Sequence, residues 1–194
     1  MSERRDDVDL PSLASRGPVH FVGIGGAGMC ALAELLIRGG GRVSGCDLKS
    51  SPVTRRLEEL GAEIHLGHDP GHVDDAVAVV ATSAVASGHP ELQRARERGI
   101  PLLKRAHALG VLVNRGAVLA VAGTHGKTTT TAMATELLAA AGQDPTGLVG
   151  GRVPAWQGNL RYGSTALYVV EADEYDRSFL TLEPDVAVVT NLEA

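Results

Sequence analysis

Two glycine-rich turns constrain this chain more than any other feature, each lying between a strand-like apolar run and an alanine-rich helical one. The first sits in "HFVGIGGAGMCALAELL", His20 to Leu36, and the second in "AVAGTHGKTTTTAMATELLAAAG", Ala120 to Gly142. A short, wholly apolar strand that turns on glycines into a helix belongs in a parallel sheet with helices on its faces. Between the two turns the same alternation continues. "GRVSGCD", "AEIHLG", "DDAVAVVATSAV" and "IPLLK" read as strands, and "SPVTRRLEELG", "HPELQRARERG" and "RAHALGVLVN" as helices, the second of these a charged surface helix. Ser51 as a cap, Pro52 in the first turn and Gly61 at the exit are ordinary helix punctuation. The rhythm predicts a Rossmann-like, doubly wound parallel sheet.

A second series starts with "AVLAVAG" near Ala117 and runs through "PTGLVGG", "ALYVVEADEYD" and "DVAVVTNLEA". "VNRG" supplies turn chemistry between the series. The expected organisation is a polar tail over residues 1–16, one α/β domain over 17–114 and a P-loop α/β unit over 115–194. The last unit holds about 80 residues, fewer than such a domain usually needs, so it reads as truncated.

Composition narrows the chemistry. With 18 basic and 23 acidic residues the net charge is −5 and there is no basic block, which argues against nucleic acid as a partner. An acidic chain that binds phosphates must do so with local N–H groups, helix dipoles and a metal ion. Cys30 and Cys46 are too few for a disulfide framework and read as reduced, buried residues. No run approaches a membrane span and the first residues resemble no leader, so a soluble, cytoplasmic chain with no membrane partner is expected.

In "GTHGKTT" the glycines Gly123 and Gly126 permit a tight turn whose N–H groups converge on phosphate oxygens. Lys127 can reach the β- and γ-phosphates of ATP, and the Thr128 hydroxyl can ligate Mg2+. Thr124, His125 and Thr129 complete the expected ATP loop. Val121 stands where the general phosphate-loop pattern has its first glycine, so the glycine pattern is shortened. "EADEYD" follows an apolar strand and therefore lies at the carboxyl edge of the sheet, where ligands bind. Glu171, the first acid after the strand, is the expected metal partner of Thr128, with Asp173, Glu174 and Asp176 as rivals.

"GIGGAG" satisfies G-x-G-x-x-G through Gly23, Gly25 and Gly28, and Asp47 follows 19 residues after Gly28 at the end of the next strand. The pattern specifies a diphosphate on a helix N-terminus, around Gly26 and Ala27, with a ribose hydroxyl nearby. NAD and a UDP-sugar both supply those groups.

Together, "HFVGIGGAGM", "GTHGKTTTT", "EADEYDRSFL" and "PDVAVVTNLEA" resemble, in this order and spacing, the Mur ligases of bacterial peptidoglycan synthesis, over roughly residues 17–194. The family has a UDP-substrate domain, an ATPase domain and an amino-acid-binding domain. The resemblance covers the first and part of the second. It implies that the first turn holds UDP-N-acetylmuramate, with His68, Thr82 and Ser83 lining the cleft and Asn191 facing the muramoyl group. It further implies an ATP- and Mg2+-dependent ligation, with Lys127, Thr128 and Glu171 as its catalytic set. The muramoyl carboxylate would be phosphorylated and then attacked by the amino group of L-alanine. A recycled tripeptide is the alternative amine, and a nicotinamide oxidoreductase the alternative should the phosphate loop be idle. His20, His65, His72, His89 and His107 are expected to be structural or exposed, and the chain on its own to be inactive in ligation.

Overall fold

A computed structural model of the protein describes residues 8–192, the side chains of residues 175–177 excepted. The chain divides into two compact units, residues 1–111 and 112–194. No helix among the described residues is long and apolar enough to cross a membrane.

The first unit opens with helix α1 (Leu10–Arg16). This corrects the expected polar tail over residues 1–16, of which 1–7 lie outside the described residues. Asp9 accepts a hydrogen bond from the Ser12 N–H, Pro11 fits the first turn, and Leu10 and Ala14 are fully buried. Two apolar residues four apart suffice to seat one face of a short helix, a signal too sparse to stand out among polar letters.

The strands of this unit are β1 (Val19–Val22), β2 (Val43–Asp47), β3 (Glu63–Leu66), β4 (Ala78–Ala81) and β5 (Leu102–Lys104). They form one parallel sheet in the order β3-β2-β1-β4-β5. Helices α2 (Ala27–Arg38), α3 (Pro52–Glu59), α4 (Pro90–Glu97) and α5 (Arg105–Val113) alternate with them. Every residue of β1 and β4 is buried, as is the run Met29–Leu36 of α2. Glu34 joins that core because Arg38 and Arg56 reach its Oε1 at 2.8 and 3.0 Å. Chain order reverses about β1, and ligands of open α/β sheets bind beyond the carboxyl ends of the strands at such a point. The turn after β1 and the turn after β4 meet there: a Cβ on Gly23 would lie 4.0 Å from Thr82 Cγ2.

The second unit contains β6 (Ala117–Ala122), α6 (Lys127–Ala140), β7 (Pro145–Val153), β8 (Gly158–Arg161), β9 (Ser164–Glu171) and β10 (Val186–Val189). Its sheet runs β10-β6-β9-β7-β8, parallel except for β8. β8 carries little sequence signal because only four residues, "GNLR", form it, and a single 3-10 turn, Pro154–Trp156, rather than a crossover α-helix connects it to the antiparallel β7. Helix α6 turns threonines rather than leucines inward: Thr131 and Thr135 are fully buried, while Met133 and Leu137 are exposed. The glycines of β7 permit this close seam. A Cβ on Gly147 would lie 2.7 Å from the Thr135 side chain, and one on Gly151 3.3 Å from Thr128 Cγ2.

Candidate functional site

In the second unit, β6 delivers the chain to Gly123, whose φ of +131° few side chains tolerate, and Gly126 (φ +80°) starts α6. The first N–H groups of α6 have no acceptor within the helix and carry the positive end of its dipole. Residues just past β10 brace the loop. The Thr190 hydroxyl donates to the His125 carbonyl (2.6 Å), and the His125 N–H donates to Asn191 Oδ1 (2.9 Å). Asn191, expected to face the muramoyl group, thus has its amide oxygen committed to the phosphate loop. Thr190 was not anticipated at all.

The acidic cluster is divided between two tasks. Glu171 Oε2 accepts from the Thr128 hydroxyl at 2.8 Å and from the Gly150 N–H at 2.7 Å. That brings together two oxygen donors at the sheet edge, a type of ligand that suits Mg2+. Glu174 instead pairs with Lys127: Nζ lies 2.9 Å from Glu174 Oε2 and 2.6 Å from the Gly123 carbonyl. The hydrogen bond from Lys127 holds the Glu174 carboxyl below its ordinary range. Asp173 accepts the Phe179 N–H through its backbone carbonyl, and the Asp176 side chain lies outside those described. Thr124, His125 and Thr129 are exposed on the loop and the first turn of α6.

In the first unit the glycine turn is folded inward on itself. The N–H groups of Gly23 and Ile24 donate to the Cys46 carbonyl, that of Gly26 to the Gly23 carbonyl, and that of Gly25 to Asp47 Oδ2 at 2.9 Å. Asp47, expected to meet a ribose hydroxyl, has one carboxylate oxygen holding the turn. The first turn of α2, at Ala27 and Gly28, remains as the anion-facing element. A side chain missed in the sequence covers it: a Cβ on Gly28 would lie 2.7 Å from Arg105 Nη1. Arg105 immediately follows β5, so the strand-end rule that selected Thr82 and Ser83 could have found it. Thr82 Oγ1 accepts the Ala84 N–H at 2.9 Å, shaping that turn, and Ser83 beside it is exposed. His68 turns its Nδ1 to within 3.2 Å of Cys46 Sγ.

The turn between β1 and α2 and the loop between β6 and α6 are thus two separate glycine-rich turns, each leading into a helix N-terminus, one per unit. Known proteins share this order. Residues 18–117 match the Mur ligase family, catalytic domain, and residues 121–194 the Mur ligase middle domain. The chain is 52% identical over 176 residues to the UDP-N-acetylmuramate–L-alanine ligase of Geotalea daltonii, covering 91% of this chain and 38% of that one. Among solved structures it resembles the UDP-N-acetylmuramate-alanine ligase MurC of Thermotoga maritima, with a TM-score of 0.84 and 34% identity over 92% of this chain and 42% of the other. It also resembles the UDP-N-acetylmuramate:L-alanyl-gamma-D-glutamyl-meso-diaminopimelate ligase of Neisseria meningitides, with a TM-score of 0.83 and 33% identity over 91% and 61%. The chain therefore spans less than half the length of the alanine ligases it matches. Family models match both units in sequence and solved ligases cover up to 92% of the chain, and on that ground the chain belongs to the Mur ligase family.

Proposed function

We propose that this chain carries the nucleotide-binding part of an ATP-dependent ligase that joins L-alanine to the carboxylate of UDP-N-acetylmuramate. The observation that carries the reading is the pairing of Thr128 with Glu171 beside Lys127, one helix turn from the loop glycines. In phosphoryl transfer the protein's work is to position groups and neutralise charge. Lys127 releases Glu174 and turns to the phosphates, while the α6 N-terminus and the loop N–H groups hold their oxygens. Thr128 and Glu171 would hold Mg2+, which supplies charge neutralisation between phosphate groups. The muramoyl carboxylate takes the γ-phosphoryl group, and the amine of L-alanine then displaces phosphate from the acyl phosphate. In the first unit, Arg105 and the α2 N-terminus face the UDP diphosphate, with Asp47, His68, Thr82 and Ser83 around the cleft.

The 52% identity to an alanine ligase favours L-alanine as the amine, although among solved structures the alanine and tripeptide ligases match at 34% and 33%. Ligation by the full-length enzyme tests the reading. Wild type forms UDP-N-acetylmuramoyl-L-alanine, and Glu171→Gln loses activity that high Mg2+ partly restores. Normal activity with unchanged Mg2+ dependence in Glu171→Gln refutes the metal assignment, and product from the tripeptide but not from L-alanine refutes the substrate.

A further inference from the structure

Apart from His68 at its edge, neither glycine turn uses the most unusual cluster in the first unit. Glu91, at the start of α4, is fully buried, and its ion-pair partners among the described residues are all histidines. This is also the residue that corrects the reading of α4 as a surface helix. Cys46 Sγ lies 2.9 Å from Glu91 Oε2, His20 Nε2 3.6 Å from the same oxygen, and His72 Nδ1 2.8 Å from Oε1. His68 Nδ1 is 3.2 Å from Cys46 Sγ and 3.9 Å from Glu91 Oε1. Four of the five histidines read as structural or exposed, His20, His65, His72 and His89, belong to this cluster or stack on it.

Three features go beyond an ordinary buried network. First, His20 is wholly buried, and its Nε2 aims at Glu91 without a hydrogen-bond partner among the described residues. Both ring nitrogens of His89 are likewise buried and unmatched. Buried polar nitrogens rarely go unsatisfied. Second, the other nitrogen of His20 is fixed by Ser44 Oγ at 3.0 Å, the kind of outer contact that orients a metal-binding imidazole. Third, the ligating atoms of His20, Cys46 and Glu91 all fall within 4.8 Å of one another. Tetrahedral zinc, with bonds of about 2.0–2.3 Å, separates its ligand atoms by about 3.3–3.6 Å. The observed spacings bracket that range.

We propose that His20 Nε2, Cys46 Sγ and Glu91 form a three-residue site for a borderline-soft divalent transition-metal ion of the zinc class, with a water molecule as the fourth ligand. Without the ion, the Cys46 thiol is protonated and donates to Glu91, leaving one buried carboxylate among histidines. On binding, the thiol proton passes to solvent, the sulfur–metal bond forms, and thiolate and carboxylate together neutralise the 2+ charge. The donor set differs in kind from Thr128 and Glu171, whose oxygens suit Mg2+. Because the Cys46 carbonyl holds the Gly23 and Ile24 N–H groups, an ion on its sulfur would also fix the floor of the first glycine turn.

Metal titration of the purified chain in excess Mg2+ tests this. We expect one Zn2+ or Co2+ per chain, one proton released per ion, and a thiolate-to-cobalt charge-transfer band. Cys46→Ser should abolish the band and weaken binding at least tenfold, whereas Cys30→Ser should leave both unchanged. X-ray absorption on the zinc-loaded wild type avoids any folding defect of the variants. One sulfur at about 2.3 Å with nitrogen or oxygen at about 2.0 Å is the expected shell. A shell without sulfur, a band lost in Cys30→Ser instead, or no ion retained overturns the proposal.

Discussion

Replacing Gly123 with alanine separates two reasons for a glycine in the phosphate loop. One is backbone conformation. At φ +131° an alanine is strained by roughly 1–3 kcal/mol. The other is the brace after β10. The added Cβ would reach Thr190 Oγ1 and come within 3.0 and 3.1 Å of the Asn191 N and O. Thr190 can evade it only by rotating away from the carbonyls of His125 and Ala122, which its hydroxyl meets at 2.6 and 3.2 Å. That hydroxyl has one proton to share between them, so losing the contact adds about 1 kcal/mol, and the whole change costs about 2–4 kcal/mol. Gly142 is the control. Its φ is +80°, and a Cβ there meets nothing within 4 Å, so Gly142→Ala costs only about 1–2 kcal/mol. Trp156 is the sole tryptophan and lies buried in the second unit, so its fluorescence follows that unit during urea unfolding. At a slope near 1 kcal/mol/M for so small a unit, Gly123→Ala should unfold at a midpoint about 1–2 M below Gly142→Ala. In a Thr190→Ala background the gap should shrink, since the nearest obstruction is gone. A Gly123→Ala midpoint no lower than that of Gly142→Ala refutes the idea that the strand after the loop dictates the glycine.

Further outcomes follow from other contacts. Glu174→Gln removes the exposed competitor for Lys127, and since such pairs contribute up to about 1 kcal/mol, ATP should bind up to about fivefold tighter in calorimetry; weaker binding would make Glu174 a ligand rather than a competitor. Arg105→Ala should weaken UDP binding about 10- to 100-fold, the range of a lost charge-assisted hydrogen bond, and an unchanged Kd would remove Arg105 from the cradle. The first unit should also be acid-labile. Burial, then neighbouring histidine charge for His65, pushes the His65 and His89 imidazoles below their ordinary 6.5. Burial opposes ionisation of Glu91, but His20, Cys46 and His72 beside it hold its carboxyl down at about 2, against an ordinary 4.5. All three lie lower folded than unfolded, so their stabilisation is complete above the unfolded values and lost as pH falls, first below 6.5 and then from 4.5 toward 2. Amide exchange in β1 and β2, corrected for intrinsic rate, should report falling protection across those windows; rising protection toward pH 5 would contradict it.

What could be read from the letters was local or periodic. β4 announces itself because a parallel strand buried on both faces is a continuous apolar run, β1 breaks such a run only at His20, β6 is apolar throughout, and the loop before α6 carries its glycines, lysine and threonine within a few residues. Glu171 was found as partner to Thr128 because strand ends share one edge of a parallel sheet, although 43 residues separate them. The same rule could not say which acid Lys127 would take, since Glu174 reaches it only through the path of the turn after β9. Nor could it show Asn191 bracing a loop 66 residues earlier, for β10 pairs with β6 out of chain order. The cluster about Glu91 was hidden for a related reason. Its members come from β1, β2, the turn after β3 and α4, and "HPELQRARERG" is so rich in charge that its second helical residue passes for surface.

The seam between α6 and β7 sets how this half of the protein tolerates sequence change. A helix packed through leucines can absorb an extra methyl group by shifting a rotamer, but the buried Thr135 lies against the Gly147 backbone and has no such slack. An alanine at Gly147 would have to be accommodated by moving α6 as a rigid rod. The same rod carries Thr128 at its other end, against Gly151 and Glu171. Mutations along β7 that never touch a ligand should therefore register as errors of alignment between hydroxyl and carboxylate, and drift in the composition of that strand is restrained by distance tolerances set two turns away.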